Sequence, residues 1–184
     1  MVLLHSEKFG LGAQAPDFKL TSVDGKSYTL ASFQDRKVLV VMFICAHCPY
    51  VQAVEDRIIQ LQRDYAAQGV QLVGICANDP TDYPDDSKEN LLKRWKAKGY
   101  GFPYLLDETQ AVARIYGAVC TPEFYVYDSS RVLRYHGQLD DNWKEPGRVT
   151  RHDLREALDQ LLAGKLPAKE QAPSMGCSIK WRQS

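Results

Sequence analysis

The sequence predicts an α/β fold: a mixed central β-sheet flanked by helices, with an N-terminal β-hairpin ahead of it and a C-terminal tail behind. Three observations carry this. Lys37-Val-Leu-Val-Val-Met-Phe-Ile44 and Val70-Gln-Leu-Val-Gly-Ile-Cys76 are continuous, β-branched runs, the pattern of strands buried on both faces. Segments of helical spacing alternate with them, which implies βαβ units and parallel pairing. Phe124–Asp128 and Val132–His136 flank an Asp128-Ser-Ser130 turn and add an antiparallel pair.

Taken in order, residues 1–15 read as a polar lead-in. Asp17–Leu20 and Ser27–Leu30, joined across Asp24-Gly25, form the hairpin. After the first buried strand, Val51, Val54, Ile58, Ile59, Leu61, Tyr65 and Ala66 mark a helix from Pro49 to Ala67, ended by Gly69. After the second comes a polar, proline-containing loop over 78–86. Ser87 caps a helix running to Lys98, with Gly99 as its stop. Phe102–Leu106 is short and extended, Thr109 to Tyr116 is a short helix ended by Gly117, and Thr150 to Leu162 is the last helix. Residues 164–184 form a tail of little periodicity. The 184 residues fit one domain, 1–184, with this tail as a C-terminal extension.

Hydrophobic residues make up 45% and charged residues 25% of the chain, ordinary values for a soluble globular protein. Lys+Arg and Asp+Glu both number 23, so net charge gives no reason to expect nucleic acid or an anionic membrane as partner. The apolar run at Met1–Leu4 is too short for a signal peptide, and no apolar stretch reaches membrane-spanning length. The expected location is the cytoplasm. Cysteines number five, an odd count that argues against a disulfide framework and for one dedicated redox or metal site.

Cys45-Ala46-His47-Cys48 supplies that site. It stands between a buried strand and a helix, so the helix N-terminus, with its unpaired N–H groups and partial positive charge, favours a thiolate there. Such a thiol falls from about 8.5 toward ~3.5–7.5. The first cysteine can sit exposed on the turn, and the thiolate is the nucleophile in disulfide exchange. Cys45 is then the attacking thiol and Cys48 the resolving one. His47 can place an imidazole beside Cys45 and tune the couple oxidising. Pro49 suits the first helical turn, where its missing N–H costs nothing. A zinc site would need two further ligands in a second CxxC or HxxxH, and neither motif is present. No cofactor and no metal is expected.

The sequence resembles the thioredoxin-fold proteins of the alkyl-hydroperoxide-reductase and thiol-specific-antioxidant superfamily, and within it a bacterial peroxiredoxin-like subfamily labelled thiol-disulfide isomerase or thioredoxin. The resemblance runs from about Gly12 to Trp181. Its carriers are Ala15-Pro16-Asp17-Phe18, the stretch from Phe43 through the CxxC to Val51, Asn78-Asp79 with Tyr83-Pro84, Phe102-Pro-Tyr-Leu-Leu-Asp107, Cys120-Thr-Pro-Glu-Phe124, Gly137-Gln-Leu-Asp-Asp-Asn142 and Gly176-Cys-Ser-Ile-Lys-Trp181. It implies a thioredoxin-like fold and a cis peptide at Thr121-Pro122. It also implies that this loop faces the CxxC, that Thr121 offers backbone hydrogen bonds to an extended substrate, and that Cys120 lies nearby. The partners implied are disulfides and thiols of proteins or small molecules.

The chain departs from two relatives. Aligned on Cys48, the peroxidase turn would have its threonine where Cys45 stands and its proline where Val41 stands. The Lys37–Ile44 strand lacks the buried acid of thioredoxin, so proton transfer to Cys48 must come from elsewhere. Glu55 is favoured over Asp56 as that acid, against the alternative of a solvated charge. Cys76 reads as a small core hydrophobe. Cys177 is either a third redox thiol, exchanging with Cys45 or with another chain, or part of a tail docked by Ile179 and Trp181. Asp140-Asp141-Asn142 is a polar site or a loop cap. The apolar ends of the chain leave a homodimer open. The leading function is dithiol–disulfide exchange. Thiol-dependent peroxide reduction and a metal-binding or redox-sensing module are the alternatives.

Overall fold

A computed structural model describes residues 3–6 and 10–183. Ten strands and four α-helices lie among the described residues. The hairpin is β2 (Lys19–Ser22) and β3 (Ser27–Thr29), paired antiparallel. The two buried runs are β4 (Val38–Phe43) and β5 (Val70–Cys76), paired parallel from Val38↔Val70 to Phe43↔Ile75. β6 (Tyr104–Leu106) continues the parallel set beside β5. β8 (Glu123–Tyr127) and β9 (Leu133–Gly137) add the antiparallel edge on the other side of β4. The main sheet therefore runs β3-β2-β6-β5-β4-β8-β9, mixed as expected.

Side chains of β4 alternate between two cores, because successive residues of a strand point to opposite faces. Val38, Val40 and Met42 pack with α1 (Pro49–Tyr65), with Leu91 of α2 (Lys88–Lys98) and with Leu154, Ala157 and Leu158 of α4 (Asp153–Leu162). Leu39, Val41 and Phe43 pack with Val112, Ala113 and Tyr116 of α3 (Ala111–Tyr116). The helix bounds follow the expected signals. Ser87 Oγ accepts the Asn90 N–H, and Gly99 takes φ 62° at the end of α2. α4 starts at Asp153 rather than Thr150, because Thr150 is bound through its N–H and hydroxyl to Asp141. No helix of the described residues is long and apolar enough to cross a membrane.

Both chain ends differ from expectation. The lead-in contains β1 (Leu3–His5), and the tail contains β10 (Met175–Ser178). With β7 (Cys120–Thr121) they form a second sheet in the order β1-β10-β7. β10 is its central strand, with Cys177 opposite Leu3 on one side and Thr121 on the other. These segments are too short for a periodic signal, and their pairing is wholly long-range. Met1 and Val2, part of the apolar end that left a homodimer open, lie outside the described residues.

Candidate active site

The CxxC closes the loop between β4 and α1. Cys48 is the N-cap of α1, and Pro49 follows it in the first turn. Neither sulfur-bearing residue is open: Cys45 is 2% exposed and Cys48 fully buried. The expectation of an exposed Cys45 is thus corrected, and the cause is the cis-proline loop and tail packed against the turn. The Thr121–Pro122 peptide is cis. Thr121 Oγ1 lies 3.3 Å from Cys45 Sγ, and the Cys48 thiol points to the Thr121 carbonyl at 3.2 Å.

A third sulfur completes the group. Cys177 Sγ lies 2.8 Å from Cys48 Sγ. It is brought there by β10, which pairs with β7 at the position the resemblance reserves for an extended substrate. Gly176 makes this approach feasible, since a Cβ there would fall 1.9 Å from the Thr121 carbonyl oxygen. The tail is fixed further by the Lys180 N–H, which donates to Asn78 Oδ1 at 2.8 Å, and by buried Ile179.

The electrostatics reverse the expected order of the two thiols. Hydrogen bonding from Cys45 pulls Cys48 down to about 5 against burial, with further help from Cys177, the Val51 N–H and Thr121. Burial pushes Cys45 well above its ordinary value, and the Cys48 hydrogen bond and the charge of Asp86 add to this. The pair therefore loses one proton readily and holds the second, with the charge resting on Cys48. Burial also pushes Cys177 up to about 12, with the Cys48 hydrogen bond and charge adding to the rise.

His47 lies beside Cys45, with its ring held by another residue. Its Nδ1 is 2.6 Å from Asp86 Oδ2, and its ring packs tilted against that of Tyr83, centroids 4.3 Å apart. Asp86 Oδ1 also accepts the Ala46 N–H at 2.7 Å and the His47 N–H at 3.2 Å, while Asn78 Nδ2 donates to Oδ2 at 2.8 Å. Burial would raise the Asp86 carboxyl, but these bonds outweigh it and hold it below the usual range. Ligand atoms of Cys45, His47 and Asp86 all fall within 4.8 Å of one another. With four donors already on its oxygens, Asp86 fits the part of an anchor for the turn better than that of a metal ligand.

Glu55 is buried but stands apart from the sulfurs. It receives Arg94 Nε and Nη2 at 2.6 and 2.7 Å and the Tyr100 hydroxyl, so it ties α1 to α2. Its expected role in proton transfer is therefore corrected: along a helix, seven residues carry it about 10 Å beyond Cys48. The acids that sequence reasoning missed are Asp86 and Glu123. Glu123 is fully buried and accepts the Val119 and Cys120 N–H groups at 2.9 and 3.2 Å, next to the cis-proline. Cys120 is buried and 3.7 Å from Glu123, and burial raises its thiol strongly. Cys76 is likewise buried with a raised thiol. Asp140 binds Arg57 at 2.5 Å and Asp141 binds Thr150, so that stretch is a loop cap.

Comparison with known proteins fits this geometry. The thioredoxin-like fold is shared with the thioredoxin domain of a thiol-disulfide oxidoreductase of Bacteroides vulgatus, which superposes with TM-score 0.60 at 17% identity over 70% of this chain and 89% of its own. A protein of Geobacillus kaustophilus, described as an uncharacterized conserved protein, superposes with TM-score 0.95 at 46% identity, covering 100% of this chain and 98% of its own. The "Thiol-disulfide oxidoreductase ResA" of Bacillus thuringiensis subsp. konkukian is 24% identical over 84% of this chain and 80% of its own length. A "Putative peroxiredoxin" of Mycobacterium tuberculosis is 29% identical over 72% of this chain and 80% of its own. The AhpC/TSA family model matches residues 11–136, from the approach to the hairpin through β9, and so takes in the CxxC and the cis-proline. The chain belongs to the AhpC/TSA family.

Proposed function

We propose that the chain is a thiol–disulfide oxidoreductase working through the Cys45–Cys48 couple. The observation that carries this is a buried dithiol at a helix N-terminus, set against the cis Thr121–Pro122 loop. Cys48 is enclosed by Cys45, Thr121 and Cys177, so Cys45 is the entry sulfur. The Cys45 proton passes along its hydrogen bond to the Cys48 thiolate. The Cys45 thiolate formed attacks one sulfur of a substrate disulfide, and the other leaves as a thiolate that takes the proton from Cys48. The Cys48 thiolate then attacks Cys45 in the mixed disulfide and releases the second substrate sulfur as a thiolate, which water protonates. The substrate is reduced by two electrons and the pair is oxidised by two. A groove lined by Val54, Pro122, Leu139, Trp143 and Met175 adjoins the loop and suits an apolar substrate side chain.

The test is insulin disulfide reduction by the wild type, C45S and C48S. Turnover lost in both variants supports the reading. Thiol-dependent peroxide consumption without insulin reduction would replace it with a peroxidase.

A further inference from the structure

Cys177 is a sulfur that this two-cysteine exchange leaves idle, yet it is positioned as closely as the other two. It is 1% exposed, as closed off as the couple itself. The sulfur it faces, Cys48, is itself fully buried. The 2.8 Å between them must shrink only to about 2.05 Å for a bond. Strand pairing on both sides of β10 and the bare backbone at Gly176 hold Cys177 in this place.

Resting on the dithiol reading above, we propose that Cys177 is a third redox thiol which moves the disulfide inward. Once a substrate disulfide has oxidised the couple, the Cys177 sulfur attacks Cys48. The Cys48–Cys177 bond forms, the Cys45–Cys48 bond breaks, and Cys45 leaves as a thiolate that takes up the proton released by Cys177. No electrons are gained or lost in this step. The chain remains oxidised, but its entry sulfur is a thiol again. Oxidation itself prepares the step. The Cys48 hydrogen bond and charge are two of the causes that hold the Cys177 proton, and both vanish when Cys48 enters a disulfide. The reverse attack by Cys45 restores the first disulfide, so the oxidised protein is an equilibrium of two isomers with Cys48 common to both.

The test equilibrates the full chain in glutathione redox buffers, quenches with acid, blocks thiols with N-ethylmaleimide and maps linkages by mass spectrometry. The wild type is expected to show both Cys45–Cys48 and Cys48–Cys177 peptides. C45S is expected to form the Cys48–Cys177 bond alone, and C177S to lose that peptide while retaining Cys45–Cys48. Wild type with only Cys45–Cys48, together with C45S carrying glutathione on Cys48 and an alkylated Cys177, overturns the proposal. The wild-type map needs no variant to fold. Failure of the underlying reading looks different: C177S would then show neither a Cys45–Cys48 peptide nor insulin reduction.

Discussion

Two buried carboxylates brace the two loops of the site, and they are built alike. Asp86 accepts two consecutive backbone N–H groups, of Ala46 and His47, faces a histidine nitrogen and takes a fourth bond from Asn78. Glu123 accepts the N–H groups of Val119 and Cys120, faces His136 Nε2 at 2.8 Å and takes the Tyr125 hydroxyl at 2.8 Å. The first holds the CxxC turn, the second the cis-proline loop. They differ in reach. Asp86 arrives from a loop some forty residues on and lies next to Cys45, whereas Glu123 clasps its own neighbours at the heart of the sheet. A brace that adjoins the sulfurs tunes them electrically. A brace locked between strands sets only where the loop sits.

Glu123→Leu breaks this comparison most severely. It strands the Val119 and Cys120 N–H donors, and should cost about 1–3 kcal/mol for each in urea unfolding. Next comes the charge between the braces. Ultraviolet thiolate absorbance should titrate near 5 for Cys48, against an ordinary 9.0, and this step should vanish in C48S. Because the unfolded chain keeps more protons through that window, the reduced protein should gain stability as pH rises from 5 to 9 and lose it as pH falls through 5. Thermal melts of the reduced protein check the slope. Asp86→Ala should cost less, about 1–3 kcal/mol. It also removes a negative neighbour that helps hold the Cys45 proton, so alkylation of Cys45 near neutral pH should speed up. An unchanged rate would erase the distinction between the two braces. The smallest effect is expected for Glu55→Gln, about 1 kcal/mol of stability with no change in thiolate absorbance.

The sequence shows whatever is written locally. The β4 and β5 runs, the Ser87 and Gly99 caps and the Asp24-Gly25 hairpin turn were legible because each signal lies within a few residues of its effect. The CxxC was legible for the same reason. Burial of an acid is not local. Asp86 sits in a polar, proline-containing stretch that reads as a surface loop, and nothing near it announces the two N–H groups it holds across 39 and 40 residues. Glu55 misled in the opposite sense. Helical phase places it on the face of Cys48, but Arg94 and Tyr100, which claim it, lie on another part of the chain. The tail hid its strand because four residues between long-range partners carry no period. Cys177 could be singled out as an unusual thiol, but its partner could not be named.

The bare backbone at Gly176 has a consequence for how this chemistry is specified. A strand that slips by one residue turns every side chain to the opposite face. Were β10 to slip so, a side chain would be driven into the Thr121 carbonyl, and Cys177 would face away from Cys48. The glycine thus acts as a key that only one alignment of the tail can turn. The sulfur is delivered by the count of residues along a strand, and a single added methyl at 176 is enough to spoil the count.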